Sequence, residues 1–210
     1  MLCLLCGAQS ARSANIPIPT LPYSVAAPGT YVLTGNLSYP HQGSTPAITI
    51  ASSIPGPVIL DLNGFTITGT PGLGFVGISV GANAYPVTVC NGTLRNFQYG
   101  IYAAFSAGID INNLNIFTNA AQMEDATAGI VFFEVQSSVI HDCTFHGGWS
   151  GIEDEQSPGG NLYYNDIFMG VYQVLNSYNT DGDVSDLNNP TIIGFSYFAM
   201  PPVQMGNPTQ

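Results

Sequence analysis

The residues able to do chemistry crowd into one stretch of the chain. Glu153, Asp154 and Glu155 stand in a row within GIEDEQ, and Glu134 closes GIVFFE upstream. His141, Asp142, His146 and Trp149 lie between the two. A pair of carboxylates is what glycoside hydrolysis requires: one protonates the departing oxygen while the other attacks the sugar or activates water. A gap of about 5 Å suits retention of configuration, and about 6.5–9.5 Å suits inversion. Glu153, Glu155 and Glu134 are therefore the candidate catalytic carboxylates. His146, beside Trp149, is the candidate general acid or base. Tyr102, Tyr172, Trp149 and Asp154 are the candidate substrate contacts, because sugar rings lay apolar faces on aromatic rings while carboxylates accept hydroxyl hydrogens. The plainer reading is a solvated acidic patch that keeps an exposed sheet soluble and unpaired.

A carboxylate pair works only if the backbone sets its spacing. Two signals recur along this chain. Glycine followed by a branched apolar residue occurs at Gly77-Ile78, Gly100-Ile101, Gly129-Ile130, Gly151-Ile152 and Gly170-Val171. A polar pair after a β-rich run occurs at Asn63-Gly64, Asn91-Gly92, Asn112-Asn113, His141-Asp142 and Asn165-Asp166. Segments 58–69, 87–101, 109–119, 139–152 and 162–171 share one frame: a short alternating strand, a polar corner, a second short strand, then glycine. Each unit is too short to bury its own apolar face, so the units must stack, at roughly 4.8 Å per coil. The pattern predicts an all-β chain: a single-stranded right-handed parallel β-helix, a solenoid of about six or seven coils over residues 15–186. An antiparallel barrel or β-sandwich also has short strands between turn signals, but it does not call for two interleaved series.

The frame carries detailed expectations. Glycine is expected to supply left-handed backbone at the bends, and corner asparagines to satisfy backbone groups there. With Ile152 inward, Glu153 and Glu155 face outward. Tyr102 and Tyr172 take the equivalent position in other coils, and Glu134 stands at a similar height on the coil before. The insertions near 70–84 and 119–128 are expected to be surface loops. The proline-rich tail, 187–210, is expected to cap the open end.

The stretch PYSVAAPGTYVLTGNLSY (22–39), followed by AITIASS (47–53), PVILDLNGFTITGT (57–70) and VTVCNGTLRNFQYGI (87–101), resembles the opening segment of secreted bacterial right-handed β-helix proteins of the pectate-lyase-like superfamily. The resemblance spans roughly residues 16–180. It implies the fold, and it implies a secreted or cell-surface protein that binds or cleaves polysaccharide on its outer surface. That superfamily also holds tailspikes and adhesins, so a non-catalytic adhesin-like module is the alternative. Lyases of the group use a cationic base, usually arginine, near calcium-binding aspartates; here Arg95 sits in the repeat frame LRNF instead. Polygalacturonases carry Asn-Thr-Asp and an Asp-Asp pair. Asn179-Thr180-Asp181 matches the first by letters, with no Asp-Asp after it.

Charge narrows the partners. The chain has 210 residues, only 2 basic side chains against 13 carboxylates, and a net charge of −11. Nucleic-acid binding needs clustered cations and is excluded; an anionic membrane surface fails for the same reason. No run is long enough for a membrane span. A polyanionic glycan would be repelled unless calcium bridged it, whereas a neutral glycan would not. NTDGDVSD (179–186) offers oxygen ligands at alternating positions, with Asp181 and Asp183 the candidate calcium ligands; an ordinary polar turn is the other reading. No other cofactor is indicated. Residues 1–14 read as a secretory signal that lacks the usual cationic leader, so that either the start sits too late or the segment is an ordinary N-terminus. Beyond it stand Cys90 and Cys143, which the register sets about two coils apart. That is near ~10 Å, too far for a disulfide, so two free buried thiols are expected. His41 is expected to face solvent in its loop, and His141 to hydrogen-bond at a corner. Asn36 and Asn91 head glycosylation sequons, the second of them at a corner.

Overall fold

The computed structural model describes residues 14–40, 44–70, 75–83, 85–118, 127–178 and 197–199. All regular structure among them is β, in two sheets. One sheet has seven strands: Tyr23–Val25, Ile48–Ile50, Val76–Val80, Tyr99–Ala104, Ala128–Phe133, Ser150–Glu155 and Gln173–Tyr178, each bonded to the next in chain order. The other has twelve. In it Val87–Phe97 and Ile109–Thr118 run unbroken through a corner that splits later coils into pairs such as Val139–His141 and Thr144–His146. Every strand pairing is parallel. The chain alternates between the sheets as it climbs, so this is a parallel β-helix and neither a sandwich nor an antiparallel barrel. No helix of the described residues is long and apolar enough to cross a membrane.

The core is a set of ladders. Ile48, Ile78, Ile101, Ile130, Ile152 and Leu175 fall in register on successive coils of the smaller sheet. Across the interior stand Leu94, Ile116, Phe145 and Phe168, also in register. The Phe145 and Phe168 rings stack at 4.8 Å. Strands this short gain little alone. Stacking satisfies their backbone from above and below, and it removes like side chains from water in files.

Four glycines of the glycine-isoleucine series do a different job from the expected one. Gly77, Gly100, Gly129 and Gly151 do not have the positive φ of a left-handed bend. At Gly100 an added Cβ would lie 2.6 Å from the Gly129 carbonyl oxygen and 2.7 Å from Ile116 Cγ2. Glycine is needed there so that the smaller sheet can close onto the apolar ladder facing it. Left-handed turns do use glycine elsewhere, as at Gly64 and Gly108, and they also fall to the polar corners: Asn63, Asn91, Asn113, Asp142 and Asn165 have φ of 52°, 59°, 51°, 54° and 57°. Asn and Asp tolerate that region better than other non-glycine residues.

Three boundaries also move. Gly170 is a turn with φ 65°, and Val171 does not continue the isoleucine file; Leu175 pairs with Ile152 instead. Part of the expected loop at 70–84 is the strand Val76–Val80. Within the expected cap, Tyr197–Ala199 pairs parallel with Ile167–Met169 and so extends the larger sheet.

Candidate functional site

The acidic run divides by strand alternation and then by what packs over it. Ile152 points inward, Glu153 outward. In register, Tyr102, Val131 and Glu153 form one outward file, and the backbone of Asn176 pairs next to Glu153. Tyr172 is not in it, contrary to the spacing argument, because Asn176 holds the place that Tyr172 was assigned. Glu153 is only 7% exposed, and Val131 beside it is buried as well. Alternation decides the face a side chain leaves from; whether water reaches it depends on what covers that face. Glu153 and Glu155 lie close enough to Tyr99 to raise its phenol pKa, after the larger effect of burial; Tyr102 is raised by burial and then by Glu155.

Asp154 leaves the other side of the strand and is half-buried. It continues the inward file of Ala103 and Phe132. There Tyr163 donates a 2.6 Å hydrogen bond to its Oδ2, and Asn161 Nδ2 approaches the same oxygen at 3.2 Å. Burial, then the Asp154 charge, push the Tyr163 phenol well above its ordinary value. The assignment of Asp154 to substrate is therefore corrected: its carboxylate serves the interior of the last coils.

Glu134 also parts from the pair. Its amide donates to the Glu155 carbonyl at 2.9 Å, so the backbones adjoin. But Glu134 has φ 50°, turns the corner and is exposed. It lines a groove of about 800 Å³ shared with Ser53, Ile54, Asn83, Tyr85, Phe105 and Gln136, a lining that does not include Glu153 or Glu155. Glu134 thus lies in the groove, apart from Glu153 and Glu155, which adjoin Tyr99 instead.

The groove itself has clear physical origins. It runs along the corner where successive coils leave the smaller sheet, and Ser53, Phe105 and Glu134 each make that corner in left-handed backbone. Phe105 does so with φ 54°, which is strained for a bulky side chain. The strain directs its ring outward, 57% exposed, edge-on to Phe133 at 5.4 Å. Tyr85 is 48% exposed across the same groove. The floor is rigid. Buried Asn83 accepts from the Ile54 amide (3.0 Å) and donates to the carbonyls of Gly81 (2.7 Å) and Ala51 (3.0 Å); its own amide donates to Ser106 Oγ at 3.1 Å. Neither Tyr85 nor Phe105 was singled out from sequence. The legible signal was an aromatic residue in the position after a strand of the repeat, at Phe105.

A family model for the right handed beta helix region matches residues 76–192, more than half of the chain. The chain belongs to the right-handed β-helix family. No curated protein and no solved structure matches it significantly.

The remaining candidates sit elsewhere on the β-helix. His146 and Trp149 do not meet as a pair. His146 stacks on Phe117 at 3.9 Å, while Trp149 stacks on Tyr172 at 4.2 Å, because the Gly147-Gly148 turn lies between their backbones. Burial, then nearby Arg95, lower the His146 pKa below its ordinary value. His141 stacks on Tyr164 and lies between Asp142 (2.6 Å) and Asp110 (3.3 Å), a self-contained surface cluster. Asn91 is a left-handed corner whose amide donates to Asp61, and Asn36 Oδ1 accepts the Thr66 amide. Cys90 and Cys143 are free and buried as expected. Residues 1–13, His41 and the calcium candidates Asp181 and Asp183 lie outside the described residues. Among the described residues no group of three or more His, Cys, Asp or Glu could hold a metal ion.

Proposed function

We propose that this β-helix is a secreted or surface-displayed protein, of the pectate-lyase-like kind, that binds neutral polysaccharide along the corner groove. The observation that carries the reading is the pairing of two exposed aromatic rings, Tyr85 and Phe105, across a groove with a rigid polar floor. Sugar rings stack on such surfaces, and Glu134 and Gln136 on the lining offer acceptors, and Gln136 also donors, for hydroxyl groups. Neutral glycans are favoured over uronic ones because the chain is strongly acidic and Glu134 is the one charged residue of the lining. Binding is favoured over cleavage for the same reason: hydrolysis calls for two carboxylates flanking one bond, and the lining of the groove holds one, Glu134.

Affinity electrophoresis against a panel of soluble glucans, mannans, xylans and galactans tests this, with reducing-end release measured in parallel. Retardation by at least one neutral glycan is expected, weakened roughly tenfold (~1.4 kcal/mol) by Phe105→Ala. Glu155→Gln should leave it unchanged. Retardation that Phe105→Ala does not alter would remove the groove, and sugar release abolished by Glu134→Gln would make the protein an enzyme.

A further inference from the structure

Arg95, Phe117 and His146 occupy one outward file of the larger sheet, on successive coils, with Thr68 before them and Met169 after. The guanidinium carbon of Arg95 sits 3.6 Å from the centre of the Phe117 ring. On the other face of that ring the imidazole of His146 lies parallel, within 4°. A cation, a benzene ring and an imidazole are thus stacked along the helix axis. Stacking engages ring faces and leaves the N–H edges of guanidinium and imidazole available.

Those edges have no partner among the described residues. The ion pairs there involve only His141 with Asp110 and Asp142, so no carboxylate answers Arg95. Beyond the strand ladder, His146 accepts a bond from Thr118 Oγ1 at its backbone carbonyl, and its ring has no hydrogen-bond partner among the described residues. Arg95 is moreover exposed. In a chain without lysine and with a net charge of −11, this is the one place described where a fixed positive charge faces water unanswered. A planar guanidinium held by a ring is preorganised for an oxyanion, because its donor fork matches a carboxylate or sulfate edge.

We propose that this file is an oxyanion-binding site, in which the Arg95 edge holds a carboxylate or sulfate group, with the Thr68 hydroxyl on one side and the Phe117–His146 stack on the other. The site is independent of the corner groove. It has a built-in reporter. The Arg95 charge disfavours the imidazolium form of His146, so an anion bound to Arg95 removes that repulsion and makes His146 easier to protonate. By linkage, binding tightens as pH falls through the His146 midpoint.

The experiment follows the His146 ring resonances by NMR through a pH titration of the whole protein at constant ionic strength. The arms are no addition, acetate, acetamide, inorganic sulfate, glucuronate and glucose. Acetate and sulfate should raise the His146 midpoint saturably, half-complete below ~100 mM, while acetamide and glucose leave it in place. Glucuronate acting at lower concentration than acetate assigns the group to an acidic sugar; equal action assigns a free anion. Arg95→Gln should raise the midpoint by itself and abolish the response, whereas Arg95→Lys should keep the charge effect and weaken carboxylate binding. A midpoint indifferent to sulfate and acetate, or one that responds equally in Arg95→Gln, overturns the proposal without touching the groove.

Discussion

Asp166 offers the sharpest test of how this fold handles a buried charge. It is 1% exposed at the corner that follows Asn165. Its Oδ1 accepts the Cys143 amide at 2.8 Å, and its Oδ2 has no partner among the described residues. Burial raises its pKa from 3.8 to about 7; the Cys143 amide and His141 oppose the rise, and Asp142 adds to it. The folded protein therefore keeps a proton between about pH 4 and pH 7 that the unfolded chain releases. This contribution to stability is fully present below the unfolded value near pH 4 and is lost as pH rises through about 7. Three units at 1.36 kcal/mol each set its size at no more than about 4 kcal/mol. Asp166→Asn is neutral throughout and keeps the acceptor for Cys143. Its amide nitrogen inherits the unpartnered position, as the hydroxyl of the protonated acid does, so the two forms match at low pH. Urea unfolding of both proteins from pH 4 to pH 8 is the assay. The difference should open from near zero to as much as about 4 kcal/mol in favour of the variant, and the other carboxylates cancel in it. A difference that is the same at pH 4 and pH 8 would refute the argument that the carboxylate titrates in place.

Two further outcomes test the packing. Gly100→Ala should destabilise by more than about 3 kcal/mol in urea unfolding, because its Cβ meets a backbone carbonyl that cannot move aside; Gly170→Ala, at a positive φ in open space, should cost about 1 kcal/mol. Burial raises the Cys90 thiol to about 11 and the Cys143 thiol higher still. Both should therefore resist a thiol-specific disulfide reagent at pH 8 in the native protein and react promptly once it is unfolded.

The repeat alone carried the fold to the level of individual rungs. Two interleaved series, glycine with isoleucine and a polar pair, are what a chain needs if each coil must turn twice and close onto the same interior, so period, direction and inward isoleucines were legible. The failures have one cause. Sequence spacing counts residues, whereas a coil closes by geometry, and a turn at Gly170 or an extra loop residue shifts every later assignment; Tyr172 lost its place to Asn176 in this way. The role of Gly100 and Gly129 was misjudged because their close approach to Ile116 and Phe145 joins residues from opposite sheets, which no local pattern displays.

The site was less legible than the fold. Alternation along the strand sent Glu153 to the outer side of the pleat, and the same rule, not applied to Asp154, places that residue with the inward Ala103 and Phe132 and against its assignment to substrate. It could not reveal that Glu153 would be covered, or that Tyr163 and Asn161 would claim Asp154. The groove was invisible for the same reason: Tyr85, Phe105 and Glu134 are far apart in sequence and adjoin only because successive corners stack at the coil spacing. Composition, period and strand direction were therefore properties of the chain. Exposure, the partner of each carboxylate and the existence of a groove were decided by packing between coils, where neighbours in space are separated by a full turn of sequence.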